Sequence, residues 1–231
     1  MRKNPIIVAL DFEDAVQARA LIARLGSAVD FYKVGMELYA AEGMPFVREL
    51  AGAGKQVFLD LKLYDIPETV KRATAQVAKT GARFLTVHGS NAVMRAAVEG
   101  RGASRLSLLA VTVLTSFDQQ DLAELGYPSS IPDLVELRVK NAMAAGVDGI
   151  VCSPLEAAAV RSMAGPQAIL VTPGVRSLSA SSGDQKRVAT PAEALAAGAD
   201  YLVIGREITR AVDPRVEFDR VIRELGTSPS T

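Results

Sequence analysis

The sequence predicts a closed barrel of eight parallel strands wrapped by helices, and three observations lead there. Short apolar runs recur eight times along the 231 residues, at 6–11, 31–35, 56–62, 84–89, 107–115, 149–153, 168–174 and 201–205. They are rich in Val, Ile, Leu and Phe and alternate little, as parallel strands covered on both faces should. Between them lie longer stretches with helical spacing, which gives the strand–helix alternation of an α/β protein. A chain of this length suits one α/β barrel, so residues 1–231 are read as a single (β/α)₈ TIM-barrel domain. The competing architecture is an open doubly wound sheet, which usually has fewer strands and, for dinucleotides, a glycine-rich first turn. Here Asp11 is followed by Phe12-Glu13-Asp14-Ala15, without glycine.

The first run, Ile6 to Leu10, ends on Asp11, and a helix is expected over residues 15–25. The second closes with Lys33-Val34-Gly35, and the third is apolar until Asp60 and Lys62. Pro67 is well placed to open a helix over 68–79, because the first helical position needs no N–H donor. The fourth run ends at His88, and the fifth at Thr115, after which Asp118, Gln119 and Asp121 are expected to start a short helix. Cys152 lies in the sixth run and is read as a small core residue. The seventh ends on Pro173-Gly174, a helix is expected at 193–197, and the eighth runs into Gly205-Arg206. Gly26, Gly54, Gly81, Gly146 and Gly198 each follow a helix-like stretch, where a left-handed residue is wanted.

Composition narrows the function. Lys+Arg and Asp+Glu are 26 each, so no basic surplus points to nucleic acid, and an anionic ligand must be held by local arginines. A single cysteine rules out an intramolecular disulfide, and a single histidine argues against a zinc cluster of Cys and His. The N-terminal apolar run stops before Asp11, too short for a signal segment or a membrane span. The expected location is the cytoplasm, with no membrane contact.

In such a barrel the active site lies at the C-terminal ends of the strands. Those ends carry Asp11, Lys33, Asp60, Lys62, His88, Thr115, Ser153 and Arg206. Charges beside apolar strands are costly unless they pair or do chemistry, and here several converge on one mouth. In Asp60-Leu61-Lys62-Leu63-Tyr64-Asp65, the first and third side chains are two apart on a strand and should share a face. A salt bridge capping the strand explains this hexapeptide alone equally well. With Lys33 and Asp11 added, an alternating array of lysines and carboxylates is expected, in which Lys62 is held as an ammonium, a proton donor rather than a Schiff-base nucleophile. Residues 176–187 read Arg-Ser-Leu-Ser-Ala-Ser-Ser-Gly-Asp-Gln-Lys-Arg, a polar stretch of the kind used as a lid or binding loop. Barrels often bind phosphate around strands seven and eight, so a phosphorylated small molecule is the expected ligand.

Asp60-x-Lys62-x-x-Asp65, preceded by Ala9-Leu10-Asp11 and Lys33-Val34-Gly35, resembles the orotidine 5′-monophosphate decarboxylase family in its bacterial form. Val111 to Ser116, Val171 to Arg176, Gly183-Asp184-Gln185 and Val203 to Arg206 resemble it too, so the likeness runs from the first strand to the last. The resemblance implies conversion of orotidine 5′-monophosphate to UMP and CO₂ without metal or organic cofactor. It implies that Lys62 protonates C6 of the pyrimidine, with Asp60, Asp65 and Lys33 completing the charged chain. Asp11 and Lys33 would bind ribose hydroxyls and Thr115 the pyrimidine. Gln185, Gly205 and Arg206 would grip the ring and phosphate, with Arg176 at the start of a closing loop. A homodimer is implied as well, Asp65 and Thr69 reaching the partner's site. One departure stands out: Glu207 follows the phosphate-binding arginine where the family pattern has proline, and it is expected to point outward. The nearest rivals share the barrel and the Asp-x-Lys-x-x-Asp motif. They are 3-keto-L-gulonate 6-phosphate decarboxylase and hexulose phosphate synthase, which resemble one another in using magnesium and a glutamate where this chain has Lys33. A non-catalytic nucleotide-phosphate binding barrel is the alternative of another class, and it would need no protonated lysine between carboxylates.

Overall fold

Eight parallel strands close on themselves in chain order: β1 (Ile6–Leu10), β2 (Phe31–Gly35), β3 (Gln56–Leu63), β4 (Phe84–Val87), β5 (Ser107–Val111), β6 (Gly149–Val151), β7 (Ile169–Thr172) and β8 (Tyr201–Ile204). The ring is sealed where β8 pairs with β1, Ile7 lying opposite Val203. The computed structural model describes residues 4–177 and 189–226. The fold is the TIM barrel that the alternation of runs and helices predicts. Among the runs that outlast their strands, 107–115 pairs only through Val111 and 168–174 only through Thr172. Their C-terminal remainders leave the ladder and become part of the mouth.

The described helices are α1 (Ala15–Leu25), α2 (Met36–Gly52), α3 (Pro67–Val77), α4 (Asn91–Arg101), α5 (Gln119–Glu124), α6 (Ile131–Ala145), α7 (Ala157–Ala164), α8 (Pro191–Ala196), α9 (Arg206–Thr209) and α10 (Pro214–Gly226). Their ends follow local chemistry. Asp14 caps α1 by accepting the Gln17 N–H at 2.9 Å, which satisfies one orphan donor of the first turn. Asp118 and Asp121 form a reciprocal capping box on α5, as do Thr190 and Glu193 on α8. Pro67 opens α3 as expected, and Gly146 ends α6 in the left-handed region (φ 83°, ψ 27°).

Two apolar layers result. Between strands and helices lies the larger core, to which Leu10, Leu25, Leu59, Leu85 and Cys152 belong. Inside the barrel lies a second core that includes Phe31, Phe58, Phe84, Leu109 and Val171. At the N-terminal end the Arg83 guanidinium sits over the rings of Phe31, Phe84 and Tyr201, at 5.2, 4.9 and 5.1 Å from their centroids. It also donates to Tyr201 Oη and Gln56 Oε1. This cation–π box closes the floor. Towards the other end the interior is lined by smaller residues, Ala9, Val111, Val151 and Val203, and opens as a cavity.

Phe84 is fully buried, with ring centroids 5.2 Å from Phe31 and 5.9 Å from Phe58. Phe84→Ala should therefore cost about 3–5 kcal/mol in urea unfolding, with the m-value unchanged. A loss below about 1 kcal/mol would mean the inner layer is not close-packed.

Candidate active site

The cavity at the C-terminal end has a volume of about 900 Å³ and is lined by Asp11, Lys33, Asp60, Lys62, Thr115, Arg176, Gly205 and Arg206 among others. Its charged wall grows from β1, β2 and β3. Lys62 Nζ donates to both carboxylate oxygens of Asp60, at 2.9 and 3.0 Å. Lys33 Nζ stands 4.0 Å from Asp60 Oδ2 and donates to Asp11 Oδ1 at 2.8 Å. Four side chains, three on β2 and β3 and one just past the end of β1, thus form an alternating line, Asp11, Lys33, Asp60, Lys62.

Strand spacing alone does not produce this line. The register between β3 and β4 shifts between Leu59 and Leu63, and Lys62 has φ +49°. Among the described residues it is the one non-glycine residue with positive φ, a conformation that costs roughly 1–2 kcal/mol for an L-residue. The bulge delivers the ammonium to Asp60. Gly35 gives the neighbouring pair its space: a Cβ there would lie 2.8 Å from Lys33 Nζ and 3.1 Å from Asp11 Oδ1. Both features escape a reading by spacing. The signal for Gly35 was its position two residues beyond Lys33 on the same strand; the bulge left none.

Asp60 is the most enclosed carboxylate of the line, its side chain 16% exposed. Burial alone would raise its carboxyl above the ordinary value. Lys62 and Lys33, with hydrogen bonds from Lys62 and Thr86, overcome this and hold it below. The site therefore keeps a fixed carboxylate beside an ammonium, an arrangement suited to placing a proton donor next to a developing negative charge.

Arg176 and Arg206 line the same cavity from the chain ends that follow β7 and β8. Burial, then the nearby charge of Arg206, lowers the Arg176 guanidinium below its usual value, and Glu207 opposes that shift. Two guanidiniums brought this close favour an anion between them. Glu207 does not point outward as expected. Its side chain is 3% exposed, pairs with Arg220 of α10 at 2.7 Å and accepts the Ser177 N–H at 3.3 Å. The residue after Arg206 faces α10, and Arg220 neutralises the carboxylate there. Its charge is paired inside the protein, although it still acts on Arg176.

Thr115 is buried in the cavity wall, and Asp11 is exposed at the rim. Asp65 and Thr69 are not brought to this cavity. Asp65 is exposed and accepts the Ile66 N–H at 2.6 Å, and Thr69 sits in the first turn of α3. Gln185 and all but the first two residues of the 176–187 loop lie outside the described residues. No described helix is long and apolar enough to cross a membrane.

Known proteins share this arrangement of sequence and fold. The model of the orotidine 5′-phosphate decarboxylase / HUMPS family matches residues 4–221. A Rhodopseudomonas palustris protein named orotidine 5′-phosphate decarboxylase is 52% identical over 226 residues, covering 98% of this chain and 95% of its own. One of the same name from Bradyrhizobium diazoefficiens is 49% identical over 224 residues, covering 97% and 94%. The crystal structure of orotidine 5′-phosphate decarboxylase from Lactobacillus acidophilus superposes with a TM-score of 0.85 at 35% identity, covering 97% of this chain and 100% of that one.

His88 directly follows β4. Its Nδ1 is buried without a partner among the described residues, and the imidazole packs 6.0 Å from the Tyr64 ring. Burial, then the charges of Arg138 and Lys62, pushes its pKa down to about 4 from an ordinary 6.5. Between those values the unfolded chain takes up a proton that the folded state refuses, so stability falls as pH drops through that window. The urea midpoint should therefore fall less in His88→Gln than in wild type between about pH 7 and about pH 5. An equal fall in both would assign the acid sensitivity to other groups.

Proposed function

The chain belongs to the orotidine 5′-phosphate decarboxylase / HUMPS family, and we propose on that premise that it converts orotidine 5′-monophosphate to UMP and CO₂ in pyrimidine nucleotide biosynthesis. The observation that carries the reading is the alternating line in the barrel mouth, with Lys62 Nζ 2.9 Å from Asp60 and Lys33 Nζ 2.8 Å from Asp11. Loss of CO₂ from C6 leaves an electron pair in the plane of the pyrimidine ring, where the π system cannot delocalise it. The protein must then supply a preorganised cation beside C6. Lys62 is that cation and also carries a transferable proton. The C6–carboxylate bond breaks, CO₂ departs, and the pair left on C6 takes a proton from the Lys62 ammonium. The resulting amine regains its proton from water after UMP leaves.

The remaining residues bind. Asp11 and Lys33 take the ribose hydroxyls, Thr115 the pyrimidine, and Arg206 with Gly205 and Gln185 the ring and phosphate side, with Arg176 in the same cavity wall. Phosphate lies far from C6, so its binding energy serves orientation and closure rather than bond breaking. Lys33 also weighs against the magnesium-dependent branch of the family. Its ammonium stands between Asp11 and Asp60, where a divalent cation would need an oxygen donor instead. The reading requires no metal and no organic cofactor.

The working unit is a homodimer in which Asp65 and Thr69 of each chain complete the partner's site. Two features support this: neither residue reaches the cavity of its own chain, and Asp65 is flanked by Tyr64 and Ile66, 70% and 66% exposed. Apolar side chains so exposed beside a functional carboxylate suit a covered surface. With one cysteine and no described helix able to span a bilayer, the cytoplasm is the proposed location.

Two substitutions test the division of labour. With orotidine 5′-monophosphate in EDTA, wild type should release CO₂ and lose the orotate chromophore, while Lys62→Ala should lower kcat by at least about 1000-fold. Wild type inactive in EDTA but restored by magnesium, or Lys62→Ala fully active, would overturn the mechanism. Arg206→Ala should lower kcat/KM for the full substrate and leave a phosphate-free analogue nearly unaffected; equal losses on both would contradict the assigned role.

A further inference from the structure

Thr86 stands at the centre of the β4 strand, fully buried, and was not among the residues expected at the mouth. The ladder between β3 and β4 runs regularly to Leu59 opposite Leu85 and resumes only at Leu63 opposite Val87. Residues 60–62 of β3 therefore face a single residue of β4, and that residue is Thr86. Its hydroxyl accepts the backbone N–H of Lys62 at 2.8 Å. It is also 2.9 Å from Asp60 Oδ1, to which it donates its one proton. Asp60 in turn accepts from Lys62 Nζ, so the contacts close a ring: Lys62 N–H to Thr86 Oγ1, Thr86 O–H to Asp60 Oδ1, and Asp60 Oδ1 back to the Lys62 ammonium.

We infer that Thr86 is a positioning residue for the decarboxylation, its hydroxyl fixing at once the left-handed backbone of Lys62 and the carboxylate that aims the Lys62 ammonium. The inference rests on the reading of Lys62 as the proton donor. The bulge takes the Lys62 N–H out of the strand ladder, and a buried N–H needs an acceptor. The Thr86 hydroxyl is the acceptor it finds, and it holds Lys62 in the one left-handed conformation among the described non-glycine residues. The same oxygen orients Asp60. The other contacts to that carboxylate, those of Lys62 and Lys33, end in ammonium groups on long flexible stems. A strand hydroxyl is rigid by comparison, because a β-branched side chain has few χ1 choices. Thr86 reaches the substrate only through its two neighbours, so it acts by geometry and by keeping Asp60 ionised.

The experiment is steady-state kinetics with orotidine 5′-monophosphate on wild type, Thr86→Val, Thr86→Ala and Thr86→Ser, with thermal unfolding in parallel. Thr86→Val keeps the shape and removes the hydroxyl. Its kcat should fall roughly 10- to 100-fold with KM nearly unchanged, as expected for a small misplacement of a reacting group. Thr86→Ser should restore most of that loss. The acid limb of the kcat profile should move to higher pH in the variants without a hydroxyl, because Asp60 loses a donor that favours its ionised form. If the valine variant does not fold, the alanine variant carries the same expectations. Wild-type kcat in a hydroxyl-free variant, a serine variant as impaired as valine, or an unmoved acid limb would each overturn the inference while wild type remains active. A wild type that cannot turn over this substrate would overturn the reading of the site, and the inference with it.

Discussion

Burying the Asp60 carboxylate at the barrel mouth imposes a requirement on everything around it. A carboxylate taken out of water loses several kcal/mol of hydration unless cations and hydrogen bonds replace it. Lys62 supplies two contacts from one side and Lys33 stands on the other, itself neutralised by Asp11. Each of these demands has a backbone consequence. The bulge in β3 brings the Lys62 ammonium to Asp60, Gly35 leaves room for Lys33 to reach Asp11, and Thr86 takes the N–H that the bulge releases. Local strain at Lys62 is sustained because the surrounding strands fix it from several directions.

The barrel is built to be closed at one end and chemical at the other. Arg83 and three aromatic rings seal the floor, and large residues fill the lower interior. Nearer the mouth the interior residues shrink to alanine and valine, leaving the cavity into which the charged line projects. Arg176 and Arg206 add positive charge on the β7–β8 side, and the buried Glu207–Arg220 pair ties the segment after Arg206 to α10. Cation and anion sites are thereby held on strands or on short segments anchored to them, which suits a reaction that depends on position more than on covalent chemistry.

Much of this was legible in the chain. Eight apolar runs marked eight strands because parallel strands buried on both faces leave little room for alternation. Asp11, Lys33, Asp60 and Lys62 were found because a charge at the end of an apolar run demands an explanation. What escaped depends on register. Thr86 reads as an ordinary strand threonine, and nothing local marks it as the residue facing a three-residue bulge on the neighbouring strand. Glu207 was expected to face solvent because its partner, Arg220, lies thirteen residues away on another helix. Asp65 and Thr69 stand apart from their own cavity, a separation that residue spacing along the chain does not reveal.

The charge balance at Asp60 is tested most directly by titrating its carboxyl carbon by ¹³C NMR in the protein free of substrate. The midpoint should lie below the ordinary value of 3.8, despite burial, because the two lysines and Thr86 favour the ionised form. A midpoint above that value would show burial winning. The carboxylate would then not be the fixed charge on which the mouth, the bulge and the aim of Lys62 depend.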